Sequence, residues 1–191
     1  MIEDIFKTPV YSTQLDIDND KLLEECFEIK RKWSKNNLVS NRGGYQSAQL
    51  LGLKNNTFQK LSYAIAHHTK IFTEHIHLKV DRLNDLWFNV NYYKDYNLTH
   101  NHFGNDNKLS GVYYVKAPKD CGEIVLYHPT KLVEHSWGVN TPKGKHNEYT
   151  SPIWKHEAKP GKLIIFPAWL EHRVEHNLSE SPRVSFSFNI V

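Results

Sequence analysis

Between Pro9 and Leu15 the chain alternates, with Val10, Ser12 and Gln14 on one side of an extended backbone and Tyr11, Thr13 and Leu15 on the other. A period of two predicts a short strand, and its length suits a sheet edge. From Asp18 the period lengthens. Leu22, Leu23, Cys26, Phe27, Ile29 and Trp33 recur at helical spacing as far as Ser34, behind Asp18 or Asn19 as a cap, and predict an amphipathic helix against the core. In the polar stretch from Lys35 to Gln49, Asn41-Arg42-Gly43-Gly44-Tyr45-Gln46-Ser47 marks a loop whose two glycines are free to take positive φ. A second helix is predicted from Asn56 toward Leu78, with Phe58, Leu61, Ile65, Phe72 and Ile76 along one side.

Beyond Asp85 the pattern turns to short extended runs between turn signals: Trp87 to Tyr93, Gly111 to Val115, Glu123 to Tyr127, Ile153 to Ala158, Lys162 to Phe166 and Val184 to Val191. Helices followed by a run of short strands predict an α+β chain whose strands close into a sandwich or barrel, not a parallel sheet. At 191 residues the chain fits one domain, 1–191, with a helical part and supporting strand over 1–83 and a strand-rich core over 84–191.

Composition narrows the classes. Two cysteines, Cys26 and Cys121, are too few for a disulfide framework or a cysteine-ligated zinc site, and a reducing cytoplasm is the expected setting. No run approaches the ~20 apolar residues that span a bilayer, and the opening Met-Ile-Glu-Asp-Ile-Phe has neither a basic flank nor an apolar signal core. A formal charge of +3, with lysines scattered among acidic and polar neighbours, gives no stripe for nucleic acid. Twelve histidines are a rich supply, so spacing must decide which matter. His67, His68, His75 and His77 ride on the second helix with no carboxylate in a metal-binding pattern, and are expected to be ordinary surface histidines.

Two clusters carry chemistry. In Thr99-His100-Asn101-His102, side chains two apart in extended backbone project to one face, so both imidazoles can reach one metal, whether iron, zinc, copper or nickel. In the second cluster, Pro160-Gly161 launches an apolar strand, Pro167 ends it, and His172 opens a further extended segment at a corner. Eleven residues on stands Arg183, then Ser185, across the turn Asn177-Leu-Ser-Glu-Ser-Pro182. If the flanking segments pair as a hairpin, Arg183 and Ser185 lie beside His172 and share its pocket. An arginine fork and a hydroxyl are suited to a carboxylate.

Taken together, Gly44-Tyr45-Gln46-Ser47, His100-x-His102, Leu109-Ser-Gly-Val-Tyr-Tyr-Val115, Ile165-Phe-Pro167, Leu170-x-His172 and Arg183-x-Ser185-x-Ser187-Phe-Asn189 resemble the iron(II)- and 2-oxoglutarate-dependent oxygenases, in particular a subfamily found in bacteria and phages. The resemblance implies a double-stranded β-helix core, of the jelly-roll or cupin-like kind, with the N-terminal helices packed against it. It also implies His100, His102 and His172 as iron ligands, Arg183 and Ser185 as the anchor for the distal carboxylate of 2-oxoglutarate, and molecular oxygen as co-reactant. His102 stands where the superfamily's usual motif has a carboxylate. Asp106, in the loop Gly104-Asn-Asp-Asn107, is the other acid within reach, though a turn residue explains it too.

Tyr113 and Tyr114 alternate, so one should face the barrel interior. Tyr113 is taken as a co-substrate contact, with Asn91 and Asn189 as supporting groups. The implied reaction hydroxylates an unactivated C–H bond of a small-molecule or peptidyl substrate, releasing succinate and carbon dioxide. The segments Asn41 to Gln46 and His128 to Pro152 are long enough to hold substrate as lids. Trp137, Trp154 and Trp169 either line that mouth or pack the core. Two other readings stay open: a cupin-like three-histidine dioxygenase without 2-oxoglutarate, which Arg183-Ser185 argues against, and a non-catalytic β-sandwich binding module.

Overall fold

The computed structural model describes residues 1–33, 39–130, 132–137 and 145–191. Expectations for residues 34–38 and for part of the stretch His128 to Pro152 therefore lie outside the described residues. The first strand, β1 (Tyr11–Gln14), precedes α1 (Asn19–Lys32), whose cap is Asp18: its carboxylate accepts from the Lys21 amide at 2.9 Å. After β2 (Asn41–Arg42) and β3 (Tyr45–Gln46) comes α2 (Asn56–Ile76), capped by Asn55 and ended by His77 in the left-handed conformation. Then follow β4 (Leu83–Asn91), β5 (Tyr96–His100), β6 (Leu109–Lys116), β7 (Ile124–Tyr127), a short α3 (Leu132–Trp137), β8 (Ile153–His156), β9 (Lys162–Pro167), β10 (His172–Val174) and β11 (Arg183–Ile190).

The strands form two antiparallel sheets. The larger has the order β1-β9-β6-β11-β4-β3 and the smaller β2-β5-β10-β7-β8. β1 lies at an edge, as its short alternating sequence predicts. One face of the larger sheet meets the helices: Leu22 and Cys26 of α1, and Phe58, Leu61 and Ile65 of α2, pack on Phe88, Val90, Phe186 and Phe188. Each fully buried side chain of this kind contributes roughly 1.5–3 kcal/mol. Between the sheets, Val112, Tyr114, Ile124, Leu126, Ile164, Phe166 and Leu170 fill a second cluster. The layered arrangement is α+β, and its two facing antiparallel sheets form the expected double-stranded β-helix.

Two expectations change here. The stretch Asn41 to Gln46 is not a free loop but the crossing between sheets, since β2 pairs with β5 and β3 with β4. Gly43 turns the chain at φ +82°, and a Cβ on Gly44 would lie 2.6 Å from Asn91 Nδ2 and 2.7 Å from the Val90 carbonyl, so only glycine passes. The helical N-terminal part thus lends three strands to the two sheets. Among the described residues no helix is long and apolar enough to cross a membrane.

Candidate metal centre

β4 and β11 are direct neighbours, and the pairing Arg183↔Asn91, Ser185↔Asn89, Ser187↔Trp87, Asn189↔Asp85 puts these eight side chains on one face. Alternation sends Val184, Phe186, Phe188 and Ile190 to the helices and leaves this polar face toward the smaller sheet. The result is a cavity of about 480 Å³ between the sheets. Its wall includes His100, His102, His172, Arg183, Ser185, Asn91, Tyr114 and Trp87.

His100 ends β5 and His172 begins β10, and the two are direct cross-strand partners with ring centroids 4.3 Å apart. His102 follows two residues after His100, its backbone N–H donating to the Ala168 carbonyl at 2.8 Å. Each of the three offers a ligand atom, and these atoms all lie within 4.8 Å of one another. A carbonyl can only accept, so the Nδ1 atoms of His100 and His172 donate to Leu98 O (2.7 Å) and Leu170 O (2.9 Å). The Nδ1 of His102 meets Asn189 Oδ1 at 2.5 Å. In each ring Nδ1 is occupied and Nε2 is left for a metal.

Electrostatics agrees with that use. Burial lowers the proton affinity of all three rings. His172 is the extreme case, brought down to about 3 by burial first and then by the facing His100. Neutral imidazole is the ligand form, and such rings are neutral near pH 7. Trp87 stacks on His102 with centroids 5.9 Å apart at 20°, and Phe166 meets His172 edge-on at 4.8 Å, which limits ring rotation.

At the other end of the same face lies Arg183, 1 % exposed. Its Nη1 donates to the carbonyls of Cys121, Gly122 and Glu175, while Nη2 is buried with no partner among the described residues. Gly122 makes this possible: a Cβ there would stand 2.8 Å from Nη1 and 2.4 Å from the Glu175 carbonyl, and its φ is +86°. Tyr114, across the ladder from Ser185, also buries its hydroxyl with no partner among the described residues. Burial pushes its phenol well above the ordinary value, so it stays protonated, and the Arg183 charge acts against that shift. Two buried donors on one cavity wall, both unmatched, fit a carboxylate. The charge, size and donor pattern suit 2-oxoglutarate.

The sequence expectations fare unevenly. His100, His102, His172, Arg183, Ser185 and Asn91 share the cavity. Asn91 donates from Nδ2 to Asn41 Oδ1 at 2.9 Å and keeps a buried, unmatched Oδ1. Tyr113 is a correction: it faces the helices, and its hydroxyl donates to Asn19 Oδ1 at 2.7 Å, so the cavity tyrosine is Tyr114. The supposed hairpin is another. β10 pairs with β5 and β7, whereas β11 pairs with β4 and β6, so His172 and Arg183 reach the cavity from opposite sheets.

Asp106 sits at φ +59° in an exposed turn and does not line the cavity. Trp137, Trp154 and Trp169 are about half exposed and line neither cavity nor core. No motif marks Asp85 or Trp87, which also line the cavity, although Trp87 continues the period-two row of Asn89 and Asn91. His67, His75 and His77 are exposed, and Tyr11 Oη bonds His68 Nδ1 at 2.7 Å.

Residues 85–189 match the model of the family described as "Putative 2OG-Fe(II) oxygenase". Among solved structures, the chain is similar to a Pseudomonas putida prolyl-4-hydroxylase (TM-score 0.70, 14 % identity, covering 96 % of this chain and 92 % of that one). It is also similar to the viral collagen prolyl hydroxylase of Paramecium Bursaria Chlorella virus-1, solved with 2OG (TM-score 0.61, 13 % identity, 95 % and 94 % covered). A third is a non-heme alpha ketoglutarate dependent carbocyclase from nogalamycin biosynthesis (TM-score 0.70, 14 % identity, 96 % and 79 % covered). No functionally curated protein sequence matches.

Proposed function

The chain belongs to the 2OG-Fe(II) oxygenase family, and from that premise we propose that His100, His102 and His172 hold its iron while Arg183, Tyr114 and Ser185 hold 2-oxoglutarate, for hydroxylation of a C–H bond. The observation that carries this reading is the pair of unmatched buried donors, Arg183 Nη2 and Tyr114 Oη, on the wall of the cavity that also receives the three histidines. A three-histidine dioxygenase without co-substrate would leave both donors buried with nothing to bind, and a non-catalytic module is set aside by the family.

When bound, ferrous iron and 2-oxoglutarate supply the oxidation: the co-substrate ends as succinate and carbon dioxide, taking one oxygen atom of O₂, and the other becomes the hydroxyl of the product. The chain's own groups fix where this happens. Backbone carbonyls of Leu98 and Leu170 hold two imidazoles in the Nδ1–H form, so that Nε2 is free. Arg183 and Tyr114 orient the co-substrate from its distal end by charge-assisted bonds. Trp87 and Phe166 give the site apolar walls beside the histidines, which keep water from the reacting centre.

The substrate is read as an amino-acid or peptidyl group. Among the described residues lining the cavity, Asp85 and Arg183 alone are formally charged, and Asn89, Asn97, Asn101, Asn105 and Asn107 add amide groups of the kind that pair with peptide groups. Prolyl hydroxylases among the similar folds are consistent with this.

An anaerobic titration of the protein with ferrous iron and then 2-oxoglutarate tests the site. The visible charge-transfer absorbance of the chelate should appear with one equivalent of each. Iron binding without that absorbance would overturn the co-substrate reading. Admitting oxygen with a proline-containing peptide pool should then yield succinate together with peptide heavier by one oxygen atom, and succinate with no modified peptide would overturn the substrate reading.

A further inference from the structure

Three imidazoles would leave a ferrous ion with no anionic protein ligand, yet one of the three is connected to a carboxylate. On the larger sheet Asn189 is the direct ladder partner of Asp85 on one side and of Ser110 on the other. The backbone therefore fixes the row Asp85, Asn189, Ser110 across three strands. Asn189 Nδ2 donates to Asp85 Oδ2 at 3.0 Å, and Asn189 Oδ1 meets Ser110 Oγ at 2.8 Å and His102 Nδ1 at 2.5 Å.

The direction of this chain follows from chemistry. An ionised carboxylate only accepts, so Asp85 draws the amide NH₂ of Asn189 to itself and turns the amide oxygen toward His102. That oxygen in turn requires N–H at Nδ1. Asp85 is itself oriented, because Gln49 takes the backbone N–H groups of Leu50, Leu51 and Leu86 on its Oε1 and so must point Nε2 at Asp85 Oδ1, 2.9 Å away. His100 and His172 have no such connection, since their Nδ1 atoms end on neutral backbone carbonyls.

We propose that Asp85 is a positioning residue that acts through Asn189 on His102, fixing its Nε2 lone pair toward the metal and lending the third ligand part of a negative charge. A carboxylate at the end of a hydrogen-bond chain polarises the imidazole and makes it a stronger donor. The proposal rests on the reading of His102 as an iron ligand.

Asp85→Asn keeps the shape and the acceptor while removing the charge. It should weaken ferrous iron binding by about tenfold, raise the Fe(III)/Fe(II) midpoint potential, and move the charge-transfer band of the 2-oxoglutarate chelate to higher energy. Asp85→Glu should recover part of each. The double exchange Asp85→Asn with Asn189→Asp moves the charge one step closer to His102, and should bring affinity back and the potential below that of the single variant; it also serves if the single variant folds poorly. Circular dichroism and thermal unfolding of the iron-free proteins verify folding. Wild-type affinity and potential in Asp85→Asn, with iron lost in His102→Ala, would overturn the relay alone. Wild-type affinity in His102→Ala would overturn the ligand assignment and the relay with it.

Discussion

His172 and Arg183 are eleven residues apart in sequence, yet they reach one cavity from opposite sheets, His172 from β10 between β5 and β7 and Arg183 from β11 between β4 and β6. The turn between them crosses from one sheet to the other. Asn177 anchors it, with Nδ2 donating to the carbonyls of Asn91 and Ser181, both at 2.9 Å. The rings of His100 and His172 and the guanidinium of Arg183 are thereby held by separate layers, and a change at Arg183 should leave those two ligands in place.

Arg183→Ala tests that separation. It removes the buried charge and leaves the carbonyls of Cys121, Gly122 and Glu175 without their donor. The affinity for 2-oxoglutarate should fall roughly 10- to 100-fold, the equivalent of about 1.5–3 kcal/mol, with iron affinity unchanged. Isothermal titration of each ligand checks both halves, and Arg183→Lys should recover little because one ammonium cannot serve the carbonyls and a carboxylate together.

The two adjacent tyrosines should behave differently. Tyr114→Phe removes a hydroxyl that has no partner among the described residues, so stability should hold while the 2-oxoglutarate dissociation constant rises about three- to tenfold. Tyr113→Phe breaks the bond to Asn19 and should cost about 1 kcal/mol of stability with co-substrate binding untouched. Urea unfolding and ligand titration of both variants give the comparison, and the reverse pattern would return the cavity role to Tyr113.

Acid should loosen the iron-free protein. In the unfolded chain His172 takes a proton near its ordinary value of 6.5, whereas in the folded protein burial holds protonation back to about 3. Between these values the unfolded state binds more protons, so stability rises with pH there and is lost as pH falls from about 6.5 toward 3. Burial lowers His100 and His102 in the same direction. Urea midpoints at pH 7 and pH 5 should differ, and His172→Phe should flatten part of that difference.

Much of this was written in local pattern. The helical spacing of Leu22, Cys26 and Phe27 and of Phe58, Leu61 and Ile65 placed α1 and α2 within two residues of their ends, because one face of each meets a single sheet. The spacing of His100 and His102 and of Arg183 and Ser185 placed each pair on one side of an extended backbone, which is a property of the strand itself.

Other features had no local signature. β6 is buried on both faces over seven of its eight residues, so no polar alternation marks which of Tyr113 and Tyr114 turns inward. The answer lies in its register with β11, where Tyr114 is opposite Ser185 and Tyr113 opposite Phe186. β5, Tyr-Asn-Leu-Thr-His, is polar and half exposed and reads as a loop until β2 and β10 flank it.

The sequence by itself determined the helices, most strands, the period-two faces and the residue types able to bind a metal and a carboxylate, since these depend on neighbours within a few positions. Only the tertiary structure decided that His172 and Arg183 face each other from two sheets, that Tyr114 is the inward ring, and that Asp85 reaches His102 through Asn189. Those relations are set by strand order and register between segments as much as 104 residues apart. Nothing in a local pattern encodes which strands will be neighbours, because that is chosen by the packing of the whole chain.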